Sequence, residues 1–173
     1  MDASAADGFS PTAEPTLEDV PGARAIVGLD GVATIVLPSG AVKRVENREV
    51  TEVGTIQGLK DLASADLTVV GDTLVVLDRA SGMLRTVRGS TSVTAPEKMV
   101  LQQPGPAADT VLAAGEDSYL AAPLAGGDVA ATSVQGAGKP ARPVALQGCG
   151  YLAWAGTGNY VRTCGNAADS RAE

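Results

Sequence analysis

Histidine is absent from this 173-residue chain. With it goes the usual general base of Ser or Cys nucleophilic catalysis and the commonest metal ligand. Only two cysteines are present, too few to ligate a metal without histidine partners. Aromatic residues make up 3% of the chain, with one Phe, one Trp and three Tyr. The core must therefore be built of thin aliphatic layers, and few rings are left on which a sugar could stack. No apolar run reaches the ~18 residues that a membrane-crossing helix needs. Thirteen basic residues stand against twenty acidic ones, for a net charge of −7, and they are scattered. Binding a polyanion needs a clustered Lys/Arg face, so nucleic acid is excluded as a partner. Arg79, Arg85 and Arg88 come nearest to a cluster and read as solvated strand-edge charges that discourage edge-to-edge association. Capped, periodic helices are also missing; Leu59–Ala63 is the best candidate and is too short to stand alone.

What is present is repetition. Ile26-Val27-Gly28-Leu29-Asp30-Gly31-Val32, Thr68-Val69-Val70-Gly71-Asp72-Thr73-Leu74 and Val111-Leu112-Ala113-Ala114-Gly115-Glu116-Asp117 share one design: a short apolar strand, a Gly/Asp turn, then a second apolar strand. Their starts at 26, 68 and 111 give spacings of 42 and 43 residues, and a shortened copy begins near Tyr151. Periods of about 40–45 residues with several strands per unit are the pattern of β-propeller blades. The expected fold is thus all-β, with propeller-type repeats of about 42 residues and roughly three and a half blades. The blades are expected over 23–63, 64–105 and 106–148, with a partial one over 149–165. Residues 1–22, with five acidic residues and no Lys or Arg, read as an acidic disordered linker, and 166–173 as a tail. The start lacks the basic and apolar regions of a signal peptide, so an export signal or anchor is expected outside these residues. Because closed propellers have at least about four blades, the repeats are expected to be a fragment of a longer chain or one part of an assembly, such as a homodimer.

Cys149 and Cys164 flank Gly150–Thr163, which reads as a hairpin centred on Gly156-Thr157. In that register partners sum to 313, so the cysteines face each other, Leu152 faces Val161, Tyr151 faces Arg162 and Ala153 faces Tyr160. Directly opposed strand residues come close enough for a disulfide, which points to an oxidising compartment; two free buried thiols are the alternative. Tyr151, Trp154 and Tyr160 form the one aromatic group and the candidate binding platform, with Trp154 alternatively packing between blades.

Other candidate chemistry dissolves on inspection. Gly136-Ala137-Gly138-Lys139-Pro140 lacks the first Gly and the hydroxyl of a phosphate-binding loop. Gly156-Thr157-Gly158 opens no helix. Asp30, Asp72, Asp78, Asp117 and Asp128 sit at turns, where Asp bonds nearby backbone donors, and none forms a calcium-loop array. No catalytic, cofactor-binding or metal-ligating set is therefore expected.

Two blocks carry a family resemblance. They are Leu101-Gln102-Gln103-Pro104-Gly105-Pro106-Ala107-Ala108-Asp109, and Gly148-Cys149 through Ala153-Trp154-Ala155-Gly156 with Tyr160-Val161-Arg162 and Cys164-Gly165. Over about residues 24–165 the chain resembles the N-terminal extracellular region of large actinobacterial surface proteins, in which propeller-like repeats precede fibronectin type III or Ig-like modules. The resemblance implies no enzymatic activity. It implies binding, adhesion or scaffolding at the cell envelope, with an envelope or extracellular protein or glycan as partner. Two further readings stand beside it: part of a carbohydrate-active propeller whose catalytic residues lie outside this chain, and a purely structural spacer.

Overall fold

The computed structural model describes residues 20–135, 138–156, 158–164 and 167–171. The linker reading for 1–22 falls outside the described residues up to position 19, as do Gly136, Ala137 and Thr157 of the two glycine-rich segments. The described chain is all-β and holds four antiparallel sheets. The first is the meander β1 (Arg24–Val27), β2 (Ala33–Val36), β3 (Ala41–Glu46) and β4 (Glu49–Thr55). The second joins β5 (Asp66–Val70), β6 (Thr73–Asp78), β7 (Met83–Arg85) and β8 (Ser90–Ser92). The third joins β9 (Val100–Leu101), β10 (Thr110–Ala114), β11 (Ser118–Pro123) and β12 (Thr132–Ser133). In the fourth, β13 (Lys139–Pro140) and β14 (Val144–Leu146) are two segments against the same flank of β15 (Cys149–Ala155). Beyond β15 lie β16 (Tyr160–Cys164) and β17 (Ala167–Arg171).

Turn chemistry explains the local pairings. Asn47 and Arg48 both take positive φ (49° and 69°), and so do Gln147 and Gly148 (51° and 75°). Two consecutive left-handed residues make the two-residue hairpin whose twist matches that of the strands it joins. Asp30 accepts the Val32 N–H at 3.0 Å, the local turn bond expected of it.

The sheets stack in series, each hiding one face against the next. Val36, Val42 and Ile56 of the first pack on Leu67, Leu74 and Val76 of the second. Val75, Leu77 and Leu84, on the second sheet's other face, pack on Leu101, Val111 and Leu120 of the third. Ala114 and Tyr119 of the third meet Leu152, Trp154 and Val161 of the fourth. Covered on both sides, the second sheet has every residue of β5 and β6 buried. Such strands read as continuous apolar runs rather than alternating ones, as Leu74-Val75-Val76-Leu77 does. The first strands of neighbouring sheets lie side by side: Gly105 donates to Val69 O (2.9 Å), Gly71 donates to Gly105 O (3.0 Å), and Gln103 donates to Pro143 O (2.8 Å).

The structure corrects the unit boundaries. Segment 139–146, expected in the third unit, pairs with β15 and so opens the fourth sheet. It is an edge, as Pro140 and Pro143 require. The last unit is not a half: Ala167–Arg171, read as tail, pairs along β16 from Cys164↔Ala167 to Tyr160↔Arg171. Ala-Ala-Asp-Ser-Arg has no alternating pattern to mark a strand, and its pairing is made by main chain. The period is also irregular. The hairpin at 111–120 forms the second and third strands of its sheet, whereas those at 26 and 68 form the first and second. Inner strands therefore begin at 24, 66, 100 and 139.

Candidate functional site

The fourth sheet carries the residues singled out from sequence. Its β15–β16 register is the one the hairpin reading requires, with Cys149↔Cys164, Tyr151↔Arg162, Leu152↔Val161 and Ala153↔Tyr160. The two cysteines form a disulfide with Cα atoms 4.2 Å apart. Alternation then sorts the side chains. Leu152, Trp154 and Val161 point into the third-sheet interface, while Tyr151, Ala153, Tyr160 and Arg162 point outward.

This divides the aromatic platform. Tyr151 and Tyr160 remain 41% and 42% exposed, on adjacent strands of the same face. Trp154 is only 2% exposed, and its Nε1 donates to the Gly115 carbonyl at 2.7 Å. It is a tie between sheets rather than part of a platform, because an even-numbered residue of β15 faces inward. The outward face instead gains Val144 and Leu146 from β14, opposite Tyr151 and Cys149, both exposed. Arg162 crosses it, its Nη2 lying 3.7 Å from Cys149 Sγ. Among the described side chains the outcome is an apolar surface of two aliphatic and two tyrosine side chains, pinned by the disulfide, with the Arg162 guanidinium at hand.

At the opposite end of the series, the outer face of the first sheet mixes apolar side chains with the opposed pair Lys43 and Glu52. Val27 and Val50 are exposed there, alongside the half-buried Ile35 and Val45. Both terminal faces thus leave β-sheet hydrophobic surface to water, the kind of patch that marks an interaction site.

Two buried carboxylates, Asp66 and Asp78, make long-range bonds that their local sequence does not announce. Asp66 opens β5 and is buried; Oδ1 accepts the Leu67 N–H (3.0 Å) and Arg142 Nη2, and Oδ2 accepts the Leu101 N–H (2.9 Å). Arg79 approaches Oδ2 at 3.9 Å and spans the carbonyls of Ser64 (2.8 Å) and Met99 (2.9 Å). Arg24 does the same between the first two sheets, donating to Leu62 O (3.1 Å) and Ala65 O. These residues lock the starts of the inner strands together. Their partners lie up to 76 residues apart, so no local spacing announces them.

Asp78 is fully buried at the β6–β7 turn, bonded by the Lys60 N–H (2.8 Å) and the Ser81 hydroxyl (2.7 Å), with Arg85 Nε at 3.5 Å. Burial alone would push its carboxyl up. The Ser81 hydroxyl, the Lys60 and Ser81 N–H groups and the Arg85 guanidinium outweigh that and hold it below the usual carboxylate range. Asp78 is thus a turn residue as expected, and also a clamp that reaches back 18 residues.

Among the described residues, no three His, Cys, Asp or Glu side chains gather in a way that could hold a metal. No described helix is long and apolar enough to cross a membrane. No protein-family model matches the sequence, and a search of curated proteins gives no match.

Proposed function

We propose that this chain is a propeller-type array of blades, non-enzymatic, that works as a binding or scaffolding module outside the cell. The observation that carries this is the serial stacking of four-stranded meanders whose first strands lie side by side, leaving an apolar, disulfide-pinned face at the end of the series. Four-stranded blades that pack face to face, each with its own first strand toward a common centre, are the geometry of propellers. A disulfide across a hairpin fits an oxidising compartment. The contact surface in this reading is the outer face of the fourth sheet, centred on Tyr151 and Tyr160, and its ligand is a protein or glycan of the actinobacterial envelope.

The test is retention of the purified chain on isolated actinobacterial cell-wall material, with and without the double substitution Tyr151→Ala/Tyr160→Ala. Saturable retention that the double substitution abolishes supports the reading. Retention that survives the substitution would move binding elsewhere, and no saturable retention would favour a spacer.

A further inference from the structure

The bridge between Cys149 and Cys164 lies on the outward face of the fourth sheet, and both cysteines are only half-buried. Its two sulfurs do not share one environment. Arg162 precedes Cys164 by two residues on β16, so it projects on the same face and stands diagonal to Cys149. Diagonal neighbours on a sheet are within reach of long side chains, and Arg162 Nη2 comes to 3.7 Å from Cys149 Sγ. No hydrogen-bond donor reaches Cys164 Sγ among the described residues. Cys149 also borders a half-open cleft of about 210 Å³, together with Leu146, Gly148, Gly150 and Thr163.

Thiol–disulfide exchange is an in-line displacement, so access to each sulfur matters, and the thiolate that is better stabilised leaves faster. The S–S bond runs from β15 to β16, and its two ends differ on both counts. Attack on Cys149 comes from the β14 side, where its register partner is Leu146, an exposed isobutyl side chain. Attack on Cys164 comes from the β17 side, where the register partner is Ala167. Departure of Cys149 sets its thiolate beside the Arg162 guanidinium, and a neighbouring cation lowers the pKa of a thiol. Departure of Cys164 would leave the charge without that partner.

We propose that the bridge is a thiol–disulfide exchange site of fixed direction, open to a dithiol reductant, in which Cys164 takes the incoming sulfur and Cys149 leaves beside Arg162. The reductant's thiolate bonds to Cys164 Sγ, the S–S bond breaks, and its electron pair departs on Cys149 Sγ. The reductant's second thiolate then attacks its own sulfur in the mixed disulfide and expels Cys164. The dithiol gives up two electrons and two protons and ends as a disulfide, and the chain gains two thiols. Reduction frees the β15–β16 hairpin from its covalent pin, so the redox state of the surroundings sets how firmly this face is held. The exchange requires nothing of the binding role proposed for the same face.

The experiment is reaction of the folded, oxidised chain with reduced glutathione, a monothiol that stops at the mixed disulfide. N-ethylmaleimide added at short intervals caps the freed cysteine, and peptide mapping by mass spectrometry locates both labels. Glutathione on Cys164 with a capped Cys149 should exceed the reverse pattern at least about threefold. Arg162→Gln should slow exchange at least about threefold and narrow that excess, whereas Arg162→Lys keeps a cation there and should keep the excess. Arg162 is also in register with Asp169 of β17, and the two variants read the cation's effect net of that neighbour. Leu146→Ala opens the approach to Cys149 and should raise the share of glutathione found there, which gives a second readout should Arg162→Gln fail to fold. Dithiothreitol should carry the parent through to two thiols. Equal labelling of the two cysteines in the parent, or an excess that folded Arg162→Gln leaves unchanged, overturns the proposal. So does an exchange rate that stops rising with glutathione concentration, since reaction would then wait on unfolding and the bridge would be a structural pin alone.

Discussion

Replacing Asp66 should unsettle the whole stack, and the pattern of its variants distinguishes a structural clamp from a solvated charge. The carboxylate receives two buried backbone N–H groups, from Leu67 and Leu101, besides Arg142. Asp66→Ala leaves both amides without an acceptor, and each such loss costs about 1–3 kcal/mol. Arg142 is 45% exposed, so freeing its guanidinium into water adds little. The sum, after some local relaxation, is about 3–4 kcal/mol, a large share of the ~5–15 kcal/mol that holds a typical domain folded. Asp66→Asn should be nearly as harmful. Its single carbonyl can serve one of the two N–H groups, while its NH₂ is turned donor-to-donor against the other. Arg142→Ala leaves the buried Asp66 carboxylate with Arg79 alone, 3.9 Å away, and should cost about 1–3 kcal/mol. Urea and thermal unfolding, followed by circular dichroism and by the fluorescence of Trp154, measure all three, with the first two variants melting roughly 6–16 °C lower. Trp154 reports on the interface between the third and fourth sheets, so its transition also shows whether the damage spreads beyond the second. An Asp66→Asn variant within about 0.5 kcal/mol of the parent would refute the reasoning, since it would mean the two amides find other acceptors.

Three further outcomes are expected. Reducing the Cys149–Cys164 bridge, which spans 15 residues, should lower stability by about 3 kcal/mol on the loop-entropy model, read as a shift of the urea midpoint with and without reductant. Unreduced, denatured protein should show no titratable thiol. Asp78 is held below the ordinary value of about 3.9, so its folded form resists the proton that the unfolded chain takes up. Its contribution is therefore complete above that value and lost as pH falls through the lower folded one. Asp78→Asn should flatten the acid limb of a plot of melting temperature against pH; a limb identical to the parent's would contradict this. Trp154→Phe removes the bond to the Gly115 carbonyl and should cost about 1–3 kcal/mol, measured by circular dichroism because the fluorophore is gone.

Local order was legible in the chain itself. The hairpin register of β15 and β16 followed from the turn position alone, because antiparallel partners sum to a constant, and that constant brought Cys149 to Cys164. It also divided Leu152 and Val161 from Tyr151 and Arg162, since alternate residues of a strand point to opposite faces. The all-β class and the run Leu74–Leu77 as a strand were readable for the same reason: period and turn chemistry act between near neighbours. Tertiary structure alone decided which sheet a strand joined. Val111–Leu120 looks like its two counterparts, yet it sits one strand further out in its sheet because Val100-Leu101 takes the place beside β5. Segment 139–146 and Ala167–Arg171 carry too little apolar pattern to declare their partners, and main-chain pairing with β15 and β16 claimed them. The burial of Trp154 and the clamp at Asp66 depend on side chains meeting across distances of 35 to 76 residues. A pattern of neighbours specifies a strand and its two faces, but what covers each face is settled only when the sheets pack.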